Sequence, residues 1–538
     1  MRTSRSLAAL ALVALVAAAC GGSPRPVGSG AFQISKDTPP AKGPVDSVTW
    51  SLYGEPQSLD YAYAFDYPPN TVLANVCEQL QRITPDLKMQ PGLAVASSAP
   101  DAKRWVYTIR PGVRFHDGTT LTADDVVASL QRHLDPKIGS YWISAFTNVA
   151  SVEKTGPMQV TVHLKKPDQL FNEEMGTSAG TVESAATLNR AGRSYGTPDG
   201  GVNCTGPYTL DKWQKGQSIT LKRFDGYWDA SLKPKAATVR NVFIQDPSTR
   251  VNSMLSGEVD GGYLIPMSGF AKLRNAPNGK LYFGPNTTAV SLIPTNLKGT
   301  LGDVRVRKAL SMALDRPGII KAAAGGVATP AKAPGATGAW GIAPEAAKGY
   351  YAKLPEPAHD VAGAKQLVQQ AGATGKKLVM TTSTVAPEIG VIANAVQAAA
   401  RSIGLNVELR SVAPDAYSAL FSDPKARSGV DLMMTTWYDS TPDPLEFYGI
   451  LQTGNFSNYG GYSNPAYDKL VDQANTQPNP AARAAVVARL QQIAVDEMVW
   501  IPLYEVPHSL FLNRKVTGAP TGITQLMYPW AAMLGSAG

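Results

Sequence analysis

The chain has 538 residues, 44% of them hydrophobic and 17% charged, and a net charge of +8. That length exceeds one ordinary core, so two or more domains are expected, and the composition is that of a folded globular protein. The charge is modest and no dense Lys/Arg block is interleaved with aromatics, which argues against nucleic acid as a partner and for a solvated basic surface.

Arg2 and Arg5 precede an apolar run over 7–19, which ends in Ala17, Ala18 and Ala19 before Cys20. A basic start, a short apolar run and small residues describe a secretory leader, 1–19, too short for a comfortable membrane span. Small residues before Cys20 are similar to the bacterial lipobox, although Ala17 stands where Leu is usual. On that reading Cys20 is lipidated and two or more acyl chains hold the protein at the outer face of the cytoplasmic membrane. The other reading is a plain secreted protein. Residues 20–44, rich in Gly, Pro and Ser, predict a flexible tether with a reach of ~25–30 Å. Cys77 and Cys204 remain. In an exported chain such a pair is read first as a disulfide and second as two buried thiols, and no CxxC or Cys/His spacing suggests a metal.

The folded body begins near residue 45, with a strand over 47–53 and then a loop set by Pro56. A helix is expected over 70–82 and an alternating strand over 105–109. Thr122 and Asp125 form a capping-box pattern that starts the next helix. Strands follow at 159–164, 206–210 and 218–221, and a helix over 246–255 opens with Pro247. Residues 303–314 have the period of an amphipathic helix, whereas the Ala/Gly/Pro-rich stretch 321–357 reads as a long wandering loop. Helices at 360–371 and 389–403 alternate with strands at 377–381 and 406–411, which says α/β. An apolar strand over 430–434 runs into TTWYDSTPDP, 435–444, and breaks at Pro442 and Pro444. A strand that presents Trp437, Tyr438, Asp439 and Ser440 at its carboxyl end looks like one wall of a ligand cleft. A helix over 481–497 and a strand over 501–504 complete the pattern.

GTSAG at 176–180 matches the nucleophile elbow G-x-S-x-G around Ser178. The elbow needs an apolar strand before it, and 171–175 is polar and acidic, so no catalytic residue is assigned. The five histidines are scattered, with no metal-ligand spacing and no cofactor motif.

Several stretches in order resemble the family 5 extracellular solute-binding proteins of ABC importers, the oligopeptide- and dipeptide-binding type. They are EPQSLD (55–60), FHDGTTLTADDVVASLQRHLDP (115–136), TGPYTLDKWQKGQSITLKRFDGYW (205–228), SGEVD (256–260), VRVRKALSMALDRPGII (304–320) and YSNPAYDKLVDQA (462–474). The resemblance implies a two-lobed α/β fold of the periplasmic-binding-protein type, with an extra subdomain in lobe I and a hinge of crossing strands. Lobe I would take 45–285 and 501–538, and lobe II 286–500. It implies a monomer that captures a small solute, a peptide by preference, and delivers it to ABC permease and ATPase subunits. It implies a Cys77–Cys204 bridge across lobe I. Ligand contacts would come from Tyr53, Gly54 and Glu55 in lobe I, and from Asn296, Trp437, Tyr438, Asp439 and Ser440 in lobe II. One departure stands out: family members that bind peptides carry an acid, pairing with the α-ammonium, where this chain has Ser440. Neighbours on a strand face opposite ways, so Asp439 does not simply take over. A non-peptide solute such as an oligosaccharide, stacked on Trp437, Tyr438, Phe447 and Tyr448, is the alternative.

Overall fold

The computed structural model describes residues 32–538; the leader 1–19, Cys20 and the start of the predicted tether lie outside the described residues. Two sheets organise the chain. The first has the strand order Tyr208–Gln214, Ser218–Arg223, Ala236–Phe243, Val45–Leu52, Gly261–Tyr263, His508–Asn513, Gly279–Gly284. Its three central strands are parallel, and Val45–Leu52 lies between the other two. Strands buried on both faces read as apolar runs, and Val48, Trp50, Val239 and Leu510 are the core here. The SGEVD motif has a structural duty in this sheet: Asp260 accepts from the Thr49 N–H at 2.9 Å and from the Asn513 amide at 3.0 Å.

The extra subdomain is a four-stranded antiparallel sheet, ordered Ala94–Asp101, Arg104–Ile109, Gln159–Leu164, Val149–Gly156. The helix Ala123–Gln131 packs on it, started by the capping box: the Asp125 carboxylate accepts from the Thr122 N–H at 2.9 Å. Cys77 and Cys204 form a disulfide, with their Cα atoms 4.8 Å apart. The preceding helix is Tyr67–Val76, earlier and shorter than the 70–82 expected. It stops at Cys77 because Glu78–Gln79 pairs with Thr181–Val182 instead.

The second sheet is ordered Thr329–Pro330, Ile501–Glu505, Thr288–Pro294, Leu432–Tyr438, Lys377–Ser383, Asn406–Val412. Helices such as Val304–Ala313, Pro387–Ser402 and Pro480–Asp496 bury their apolar stripes in the largest core of the molecule. The molecule is thus the two-lobed α/β structure expected, and the chain crosses between lobes at 285–287 and again at 506–507. The crossings touch: the Asn286 amide donates to the Val506 carbonyl at 2.9 Å.

Three expectations need correction. Ile501–Glu505 was assigned to lobe I, but it pairs with Thr288–Pro294 in the lobe II sheet, so the return begins only after it. Residues 32–44 of the predicted tether lie along lobe I. Ile34 bridges Phe283, Gly43 bridges Ser536, and the Thr38 hydroxyl donates to the Ala519 carbonyl at 2.9 Å. The stretch 321–357 is no wandering loop, since it contains the helix Pro344–Lys353 and the buried Trp340. Its small residues serve close approach: a Cβ on Gly338 would sit 1.9 Å from the Asn286 carbonyl, and one on Gly341 2.4 Å from that of Leu87.

Candidate functional site

The parallel strands Ala236–Phe243, Val45–Leu52 and Gly261–Tyr263 all end on one edge of lobe I, where open α/β sheets place their ligands. At that edge Ser51, Leu52, Tyr53, Tyr263 and Leu264 line a small pocket with Arg250 and the helix residues Tyr67, Pro68 and Thr71. Tyr53 donates its hydroxyl at 2.7 Å to Asp66, whose carboxylate also accepts from the Tyr67 N–H and so caps the helix Tyr67–Val76. Arg250 projects from the helix Pro247–Ser256, which Asp246 caps by accepting from the Thr249 N–H at 2.7 Å.

A second pocket lies where the lobes meet, lined by Asn70, Trp142, Thr177, Ser178, Leu526 and Met527 of lobe I and by Tyr438 and Ser440 of lobe II. Strand alternation explains which lobe II residues reach it. Tyr438 and Ser440 face the pocket, and the Tyr438 hydroxyl donates to the Phe65 carbonyl of lobe I at 3.1 Å. Trp437 and Asp439 face the lobe II interior. The Trp437 ring packs on Trp500 and Phe447, and its N–H donates to Asp439 at 3.1 Å. Asp439 is buried and its second oxygen has no partner among the described residues; burial first, and Glu446 next, hold its carboxyl well above the usual range. Ser440 donates to Glu446 at 2.7 Å and so defines the loop as well as the pocket wall.

The site residues expected from sequence therefore divide. Tyr53, Tyr438 and Ser440 line the pockets, and Gly54 follows Tyr53 with open space around it. Trp437 and Asp439 belong to the interior. Glu55 is turned to the hairpin of lobe I, accepting from the Trp213 indole at 2.8 Å and the Gly216 N–H at 3.0 Å. Asn296 is exposed past the far end of the strand Thr288–Pro294. At ~3.3 Å per residue it is about 26 Å along the chain from Thr288, the residue paired with Tyr438. Phe447 and Tyr448 are fully buried in lobe II, which removes them from any stacking surface.

Sequence reasoning missed two groups that matter, and it named a third, Ser178, without its contacts. Arg250 sits one turn before Met254 on the buried stripe of its helix, which is the signal that would have found it. Glu173 and Arg483 form a buried ion pair between the lobes, and Arg483 also donates to Asp443 at 2.5 Å. Ser178 donates to the Asn70 side chain at 2.6 Å, and what precedes GTSAG is the helix Phe171–Glu174 rather than a strand. Among the described residues the one cluster of metal-ligating types is Cys77, Glu183 and Cys204, and its thiols are joined in the disulfide.

The model of bacterial extracellular solute-binding proteins, family 5, middle, matches residues 88–459. The glutathione-binding protein GsiB of Escherichia coli strain K12 is 26% identical over 468 residues, covering 83% of this chain and 86% of its own. The periplasmic binding protein DppA of Helicobacter pylori, solved with the peptide STSA, superposes with a TM-score of 0.77 at 20% identity. That match covers 92% of this chain and 99% of the other. AgaA of A. tumefaciens R10, solved with agropinic acid, gives 0.75 at 24% identity, over 91% and 98%.

Proposed function

The chain belongs to the bacterial extracellular solute-binding proteins of family 5, and on that premise we propose that it captures a short peptide between its lobes and delivers it to an ABC permease. On this reading Cys20 carries the lipid that keeps the protein at the outer face of the cytoplasmic membrane. No covalent chemistry is involved. Function is the difference in affinity between open and closed lobes, which the paired crossings at 285–287 and 506–507 suit by acting as a pivot.

The observation that carries the proposal is the pocket at the lobe interface, built from both sides by Asn70, Trp142 and Ser178 against Tyr438 and Ser440. Such a site is complete only when the lobes meet. Relatives described as binding glutathione and the peptide STSA favour a peptide or peptide-like solute. Ser440 favours a second reading, a non-peptide solute, as does the likeness to a protein solved with agropinic acid. The sugar-stacking version of that reading is weakened by the burial of Phe447 and Tyr448.

Native mass spectrometry of the gently purified protein tests the choice. Heterogeneous adducts that fragment to short peptides support the proposal. A single non-peptide mass, or an apo species that ignores peptide mixtures, moves the assignment to the second reading.

A further inference from the structure

Arg250 is only 3% exposed, yet among the described residues no carboxylate pairs with it. Burial pulls its guanidinium down to about 10, which still leaves it charged at neutral pH, and only Tyr53 pushes the other way. A buried cation of this kind is costly unless something neutralises it. The other buried arginines are provided for. Arg483 has Asp443 and Glu173. Arg307 donates to the carbonyls of Leu301, Gly302, Glu497 and Met498, and Arg316 to those of Ser311 and Pro502 and to the Ser311 hydroxyl.

Arg250 has five N–H donors and uses few of them. One Nη donates to the Tyr263 carbonyl and Nε makes a long contact of 3.4 Å to the Ser51 hydroxyl. Among the described residues its other Nη has no hydrogen-bond partner, and Arg250 lines the lobe I pocket. Two of the hydroxyls beside it are already committed. Tyr53 donates to Asp66, and Thr71 to the Tyr67 carbonyl and Gln525. The guanidinium is thus a free charged donor of this pocket, at the carboxyl ends of three parallel strands.

We propose that Arg250 recognises a carboxylate of the bound solute, making the lobe I pocket the anionic subsite of the cleft. This rests on the solute-binding reading above and adds the charge of the group received. A planar carboxylate matches the guanidinium fork and supplies the countercharge that the chain withholds. The solute then enters with its acidic group towards lobe I, and Tyr438 and Ser440 close over the remainder.

The test uses the full chain, purified in detergent, and two pairs of probes: tri-alanine with its C-terminal amide, and gluconate with glucose. Calorimetric titration is expected to show at least one acid bound about tenfold or more tightly than its neutral twin. Arg250→Gln is expected to abolish that preference and Arg250→Lys to keep part of it. Amide hydrogen exchange on the unaltered protein gives an answer even if both variants misfold. The acid, and not its twin, should slow exchange across 247–256 and 261–264. Equal affinity for acid and twin, an acid preference untouched by Arg250→Gln, protection confined to other segments, or no binding in either pair overturns the proposal. Tri-alanine and its amide binding equally keeps the peptide reading and removes the subsite. Gluconate alone binding with an Arg250-dependent preference keeps the subsite and removes the peptide reading.

Discussion

Arg483 and Arg250 are buried to the same degree, 2% and 3% exposed, on the two sides of the cleft. Arg483 bonds to Asp443 within lobe II and to Glu173 across the interface, so its charge is spent on joining the lobes. Arg250 bonds to a carbonyl and a hydroxyl of its own lobe and, among the described residues, meets no acid. Around Arg483 acids are in surplus. Burial first, and neighbouring carboxylates next, push Glu173, Glu174 and Asp439 well above the usual carboxylate range. The lobe interface around Arg483 is thus rich in acid from both lobes with its cation consumed, and the lobe I pocket holds a cation with no acid beside it among the described residues. Chain-internal pairing makes structure; a charge left without a partner at a strand edge is free to select a ligand.

Three experiments break or sharpen this contrast. The largest effect is expected from Arg483→Met, which leaves Asp443 buried without its cation and Glu173 without its hydrogen-bond partner. Urea unfolding should show a loss of about 3–5 kcal/mol. Arg250→Met strands no carboxylate and should cost clearly less; equal losses would erase the distinction between the two sites. Next comes pH. An acid whose folded value is raised stabilises the fold fully below its unfolded value, and that contribution is lost as pH rises through the folded value. Glu173, Glu174 and Asp439 therefore make the fold firmer as pH falls from their raised folded values towards the ordinary carboxylate range, a rise that thermal unfolding against pH should show. Arg250, at about 10, does not titrate in that window, so Arg250→Met should leave the slope unchanged while Glu173→Gln flattens it. The smallest effect belongs to Ser178→Ala, which removes the hydrogen bond to Asn70 and about 1 kcal/mol of stability. Ser178 also lines the interlobe pocket, so solute affinity is expected to fall by a few-fold; only a hydrolytic activity that disappears with the hydroxyl would reopen the nucleophile reading.

The α/β class and the cleft strand were legible because periodicity and proline breaks are local signals. The alternation that separates Tyr438 and Ser440 from Trp437 and Asp439 was legible too, but not which pair faced outwards, since that depends on what packs behind the strand. Glu55 and Asn296 were misjudged for the same reason: their partners, Trp213 in one case and solvent in the other, lie far along the chain or beyond it. Low complexity over 321–357 misled because small residues signal flexibility in a loop and tight contact in a seam. Only Asn286 and Leu87, distant in sequence, decide between the two. Arg250 could be seen as a charge on an apolar stripe, but its lack of a partner emerges only after every acid has been placed.

The strap at 32–44 has a mechanical consequence. It is fastened to Phe283, Ala519 and Ser536, so residue 32 is held on lobe I, and residues 535–536 lie on the same lobe. Tension applied upstream of residue 32 is borne by that lobe and does not run through 285–287 or 506–507. On the proposed function, a leash attached there would drag or orient the molecule without prying its jaws apart, and would leave lobe II an unloaded lever.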